Sequence, residues 1–167
     1  MTRTDTPTAW DERSTLLTML DYTRQTARAK CEGLAAEHVG AVQLSTSPLT
    51  TIGGVVNHMR WVEHSWIESR FVDGPDLGPW TDEEPDKEFS IGAESSIEET
   101  LAGYDEQIAR TDAIIAKLDL DDRSQTPFRN GDRPTLRWVI LHLIEENARH
   151  NGHIDILREL ADGTTGD

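Results

Sequence analysis

Three side chains that can bind a metal or carry a proton share one face of the segment Leu136–Leu160. Glu146, His150 and His153 are spaced i, i+4 and i+7, so on a helix they form one stripe. The apolar members of the same stripe are Val139, Leu143, Leu157 and Leu160. A carboxylate that faces a protein core costs several kcal/mol unless something compensates it. A divalent metal ion is one way to compensate it.

A metal site in a helical protein needs ligands from more than one helix. Glu146 and His150 lie one turn apart and can hold the same ion, and His58 is the histidine placed on the inward side of another helical pattern. The alternative is structural: Glu146 pairs with Arg149 or with a distant arginine, and His150 and His153 are core histidines. The spacing leaves both interpretations open.

The remaining candidates have weaker patterns. His153 is predicted to be a fourth ligand or a catalytic proton carrier, and His142 to be a ligand, an orienting neighbour or a core histidine. His38 and His64 are predicted to lie at the surface. Cys31 has no histidine beside it in the sequence and is predicted to be a buried hydrophobe. The tryptophans are predicted to be packing residues in the first place, and two that flank the His58 turn, Trp61 and Trp66, are also candidates for the wall of a pocket.

Composition excludes several classes of function. The chain has 167 residues, 16 basic and 31 acidic, with a formal net charge of −15, which disfavours nucleic acid and anionic membranes as partners. One cysteine allows no internal disulfide, and there is no long apolar run, so we expect a cytoplasmic protein. The length predicts a single domain over 1–167, with a core of about 10–163 and a disordered tail.

Helical periodicity dominates the pattern, and no stretch alternates as a strand would. The four predicted helices are Glu12–Ala36, Thr50 or Thr51 to Phe71, Ser95 or Ser96 to Leu118, and Thr135 to Ala161. Long loops are predicted between them over Val72–Ala93 and Asp119–Arg133. This pattern predicts an all-α four-helix bundle, either up-and-down or up-down-down-up, with a crossover loop between helices two and three.

Two stretches resemble the signatures of the DinB-like superfamily, in the actinobacterial branch long described as a domain of unknown function. They are Pro48–His58, which reads PLTTIGGVVNH, and Glu145–Glu159, which reads EENARHNGHIDILRE. The resemblance implies an up-down-down-up bundle and a divalent metal held by His58, Glu146 and His150. Many members have histidine where this chain has Glu146, and a glutamate there resembles the mycothiol-dependent maleylpyruvate isomerases. Such a mixed ligand set accepts zinc or nickel, and also iron or manganese.

The resemblance further implies a transferase that attaches a low-molecular-weight thiol, such as mycothiol, to an electrophilic small molecule, with His153 as proton carrier. Two alternatives are a metal-assisted hydrolase or isomerase and a non-catalytic, stress-related metal-binding protein. Relatives often form dimers, and exposed apolar residues of helix one are the predicted interface of a possible homodimer.

Overall fold

The computed structural model describes residues 3–128 and 130–166, and within them every regular element is a helix. The α-helices are α1 (Glu12–Lys30), α2 (Ala36–Val39), α3 (Ile52–Glu63), α4 (Lys87–Glu94), α5 (Ile97–Ile115) and α6 (Leu136–Asp162), and α3 continues as a π-helical segment, His64–Phe71. The all-α prediction is therefore confirmed. None of the described helices is long and apolar enough to cross a membrane.

Capping residues begin α3 and α5 and end α6 where the sequence predicts them. The Thr51 hydroxyl accepts from the backbone N–H of Gly54 at the start of α3, and Ser96 forms a capping box with Glu99 at the start of α5. Gly163 ends α6 in the left-handed conformation, with φ 77°, which costs glycine little.

Ion pairs between α1 and α6 define their relative direction. Arg137, at the start of α6, donates to Glu12, at the start of α1, over 2.6 Å. Lys30, at the end of α1, pairs with Asp155 in the second half of α6. The two helices therefore run in the same direction.

Contacts of α3 and the π-helical segment define two further directions. His58 contacts His150 and Trp66 contacts His142, with ring centroids 4.9 and 4.7 Å apart, so α3 runs antiparallel to α6. Two contacts join this part of the chain to α5. The Tyr104 hydroxyl contacts Glu63, and about one turn further along both segments Gln107 Nε2 donates to Glu68 Oε1 over 2.6 Å. The chain through α3 therefore runs parallel to α5.

A buried polar layer divides the core into two apolar clusters. Arg24 of α1 makes two 2.7 Å hydrogen bonds to the carboxylate of Glu63, and its third nitrogen donates to Asp112 over 2.9 Å. The Tyr104 hydroxyl contacts Glu63 and donates to Asn147 over 3.2 Å. Burial disfavours the charge on Arg24, but the Glu63 carboxylate outweighs burial and raises the arginine pKa.

The structure differs from three of the predictions about the helices and loops. Helix one ends at Lys30 instead of Ala36, and Gly33 follows in the left-handed region with φ 69°. Val72–Ala93 is not all loop, because α4 occupies its end. The predicted second helix reaches Phe71, but its last two turns are π-helical. Beyond Gly163, residues 164–166 carry no helix, and Asp167 lies outside the described residues.

The predicted buried faces are partly wrong. Leu160 is 54% exposed, because the guanidinium of Arg158 takes the inward place and donates to the backbone carbonyl of Glu32 over 3.1 Å. On α5 the buried face includes polar Gln107 and Thr111. The exposed large hydrophobics of the described residues lie outside α1, where Leu16, Leu17 and Met19 are half-buried. A dimer interface on helix one stays a prediction.

The backbones of α3 and α4 approach each other at two glycines. A Cβ on Gly92 would lie 2.3 Å from the carbonyl oxygen of Gly53, so the Gly92→Ala variant must push the helices apart. We expect a loss of about 1 to 3 kcal/mol in unfolding free energy, measured by urea denaturation. The control is Gly152→Ala, where nothing lies within 4 Å and a gain of about 0.5 to 1 kcal/mol is expected. Equal stability of the two variants would contradict the close approach.

Candidate metal centre

The structure brings the three predicted metal ligands together between α3 and α6. One donor atom each from His58, Glu146 and His150 lies within 4.8 Å of the others. The i, i+4 spacing places Glu146 and His150 on neighbouring turns of α6, and the antiparallel packing of α3 brings His58 opposite them. Two imidazoles and a carboxylate from separate helices are a suitable ligand set for a transition metal.

The distances suit one ion. Glu146 Oε2 lies 3.3 Å from His150 Nε2, and metal–ligand bonds of about 2.1 Å place neighbouring ligands of a tetrahedral site about 3.4 Å apart. These atoms therefore need almost no movement to share an ion.

The charge state of His150 also suits metal binding. Burial and, to a smaller extent, the neighbouring His58 lower its pKa to about 4, although the Glu146 carboxylate opposes the shift. The ring is neutral at physiological pH, so a nitrogen lone pair is available to a metal without loss of a proton.

His58 has a carboxylate partner that the sequence does not predict. Glu88 of α4 lies with Oε1 3.2 Å from His58 Nδ1, and the ring of Phe89 stacks on the imidazole at a centroid distance of 4.5 Å. Both residues fall in the segment predicted to be a loop. Pro85-Asp86, just before α4, is the signal of a helix start that could have revealed them.

His153 and His142 lie beside the cluster. His153 Nδ1 is 3.3 Å from His150 Nδ1, and neither His153 nor His142 belongs to the group formed around His58. The ring of His142 stacks on Trp138 at 5.1 Å, and its Nε2 lies 3.7 Å from Glu146 Oε1. Catalysis by His153 stays a prediction.

The structure also contains the ion pair between Glu146 and Arg149 that a purely structural role of Glu146 requires. Arg149 Nη1 lies 3.5 Å from Glu146 Oε1 and pairs with Glu145 as well. The arginine is half exposed, so this pair is weak. It engages one oxygen of Glu146 and leaves Oε2 beside His150.

A cavity of about 150 Å³ opens beside His58. Trp61 and Trp66 form part of its wall, as predicted, and Trp80 adds a third indole from the loop before α4. The prediction that His64 lies at the surface is wrong, because the same loop covers it and the Leu77 backbone N–H donates to its Nε2 over 3.0 Å. Of the three candidate ligands, His58 lines this cavity, so the cavity meets the candidate metal centre at that residue.

The cysteine of the chain is not a candidate nucleophile. Cys31 is buried, and burial raises the pKa of its thiol to about 12. We expect no reaction of the native protein with 5,5′-dithiobis(2-nitrobenzoate) at pH 8 and one thiol per chain after unfolding in guanidinium chloride. Rapid labelling of native protein would contradict the burial of Cys31. Cys31 therefore supplies no reactive thiolate at neutral pH.

A group of possible metal ligands between helices of an all-α chain agrees with the DinB-like class of proteins, and similarity to known sequences places the chain in that class. Within it, the chain belongs to the mycothiol-S-transferase family, whose model matches residues 15–163. The chain is also similar to the uncharacterized protein YkkA of Bacillus subtilis (strain 168), with 24% identity over 111 residues. That match spans 63% of this chain and 63% of the relative's length.

Proposed function

We propose that the protein is a divalent-metal-dependent transferase that attaches mycothiol, or a similar low-molecular-weight thiol, to an electrophilic small molecule. The observation that carries the proposal is the cluster of His58, Glu146 and His150, whose His58 also lines an aromatic cavity. Membership of the mycothiol-S-transferase family supports the same reaction class.

In this proposal His58, Glu146 and His150 hold the ion. Two nitrogen ligands and one oxygen ligand favour zinc or nickel and also accept iron or manganese. When bound, the ion lowers the pKa of a coordinated thiol from about 8.5 and raises the thiolate fraction at neutral pH.

The other residues serve the reaction by position. His153, half-buried against His150, is the proposed acceptor of the thiol proton. The thiolate sulfur then forms a bond to the electrophilic carbon, and the leaving group departs with its electron pair. The indoles of Trp61, Trp66 and Trp80 are proposed to hold the electrophile and to exclude water.

We also infer an up-down-down-up four-helix bundle that forms a single domain over 1–167. The directions of α1, α3, α5 and α6 given by the contacts above support this connectivity. The match of one family model over residues 15–163 supports a single unit.

The experiment that tests this function measures thiol consumption with monochlorobimane as electrophile. Protein loaded with zinc or nickel is expected to accelerate the reaction of mycothiol, with chloride as leaving group, and the chelator-treated protein is not. The variant His38→Ala removes a histidine away from the cluster and should keep the activity. Equal rates with loaded and metal-free protein, for mycothiol and for cysteine alike, would contradict the proposal.

A further inference from the structure

We propose that Glu88 is a positioning residue that holds the imidazole of His58 in the tautomer and orientation that metal binding needs. The inference depends on the metal-binding part of the proposed function and not on thiol transfer. It adds a residue of α4 to a site otherwise built from α3 and α6.

Contacts on two sides fix the His58 ring. Glu88 Oε1 faces Nδ1 at 3.2 Å, and the Phe89 ring lies nearly parallel to the imidazole, at 18°. A carboxylate accepts but cannot donate, so the proton of a neutral ring is held on Nδ1 and the lone pair on Nε2. A hydrogen-bonded carboxylate of this kind orients metal-binding histidines in proteins and strengthens them as ligands.

The burial of Glu88 indicates that its carboxylate does not stabilise the folded protein. Its side chain is only 7% exposed, and Oε2 is buried without a hydrogen-bond partner among the described residues. A buried carboxylate with an unpaired oxygen destabilises the fold. A metal ion on the far side of the His58 ring would supply the positive charge that this carboxylate lacks.

The position of α4 does not depend on that carboxylate. Asn57 Nδ2 donates to the backbone carbonyl of Glu88 over 2.6 Å, and the close approach of Gly53 and Gly92 packs α4 against α3. The backbone at Glu88 is therefore held by contacts that a Glu88→Gln substitution leaves in place.

The Glu88→Gln variant is expected to change stability and metal affinity in opposite directions. Removing a poorly compensated buried charge should keep or raise the Tm of the metal-free protein. Loss of the carboxylate should weaken zinc binding about 10- to 100-fold, measured by competition with a chromophoric chelator. The matched control is Glu94→Gln, an exposed glutamate of the same helix, which should change neither quantity.

A lower Tm of the metal-free Glu88→Gln protein, or zinc affinity within twofold of the parent, would overturn the assignment. A second measurement needs no metal. The ¹⁵N shifts of the His58 imidazole in the metal-free parent should show the proton on Nδ1, and Glu88→Leu should shift the ring toward the other tautomer. An unchanged tautomer would also overturn it. These readouts are separate from the thiol assay, so failure of thiol transfer and failure of this assignment can be told apart.

Discussion

The Glu63→Ala variant is expected to lose about 3 to 5 kcal/mol of unfolding free energy. Both partners of the Arg24–Glu63 pair are almost fully buried, so removing the carboxylate leaves a guanidinium in the core with only Asp112 beside it. The measurement is urea denaturation at pH 7. At that pH the neighbouring Tyr104 hydroxyl is neutral, because burial and the nearby Glu63 charge raise the pKa of Tyr104 well above its usual range.

Two controls separate the burial of the pair from its charge. Asp105→Ala breaks a half-exposed pair with Arg28 and should cost at most about 1 kcal/mol. The double variant Arg24→Met/Glu63→Leu removes both buried charges and should recover most of the stability that Glu63→Ala loses. A cost below about 1 kcal/mol for Glu63→Ala would contradict the prediction that this variant leaves an uncompensated charge in the core.

The second large effect concerns the metal. Protein purified without an affinity tag is expected to contain close to one divalent ion per chain, and the His150→Ala variant to contain almost none. His150 contacts Glu146 directly and His58 through the ring edge, so its loss removes the central ligand of the three. Loss of a residue that only hydrogen-bonds to a metal ligand lowers metal affinity by up to roughly 100-fold, and we expect a larger loss of metal affinity for His150→Ala. The measurements are inductively coupled plasma mass spectrometry for metal content and chelator competition for affinity.

The matched control is His142→Ala, which removes a histidine from the same helix one turn before Glu146. His142, Glu145 and Glu146 form a second group of potential ligands, so this variant discriminates between two positions for the ion. Metal retained in His142→Ala and lost in His150→Ala places the ion beside His58. The reverse result would move it to the second group, and absence of metal from the parent and both variants would return these residues to a structural role.

The helices were predictable because local signals specify them. Thr51, Ser96 and Thr135 cap helices through their own side chains, and apolar periodicity marks Val55, Met59, Val139 and Leu143 as buried. The spacing of Glu146 and His150 on one helix face is likewise a local property, and the structure places His58 beside them.

The rest depends on contacts between segments distant in sequence. Glu88 reaches His58 only because α4 packs against α3 at Gly53 and Gly92. A glycine in a sequence does not indicate which other segment will pack against it. Helical geometry places His64 on the same side as Arg60 and Glu68, which predicts a surface position, but a loop thirteen residues further on buries it. The polar residues on the inner face of α5 contradict hydrophobic periodicity because their partners, such as Glu68 for Gln107, lie on another element.

The π-helical segment His64–Phe71 has a consequence for how the chain tolerates changes of length. Its hydrogen bonds span five residues, as from Val72 N–H to the carbonyl of Ile67, so each turn holds more residues than an α-helical turn. A one-residue deletion inside the segment can be absorbed by conversion to α-helix. The same deletion between Glu146 and His150 in α6 would rotate one side chain about 100° away from the other. Homologues that differ by a single residue here would keep the fold and the ligands, and would differ in where Trp66 lies against the cavity.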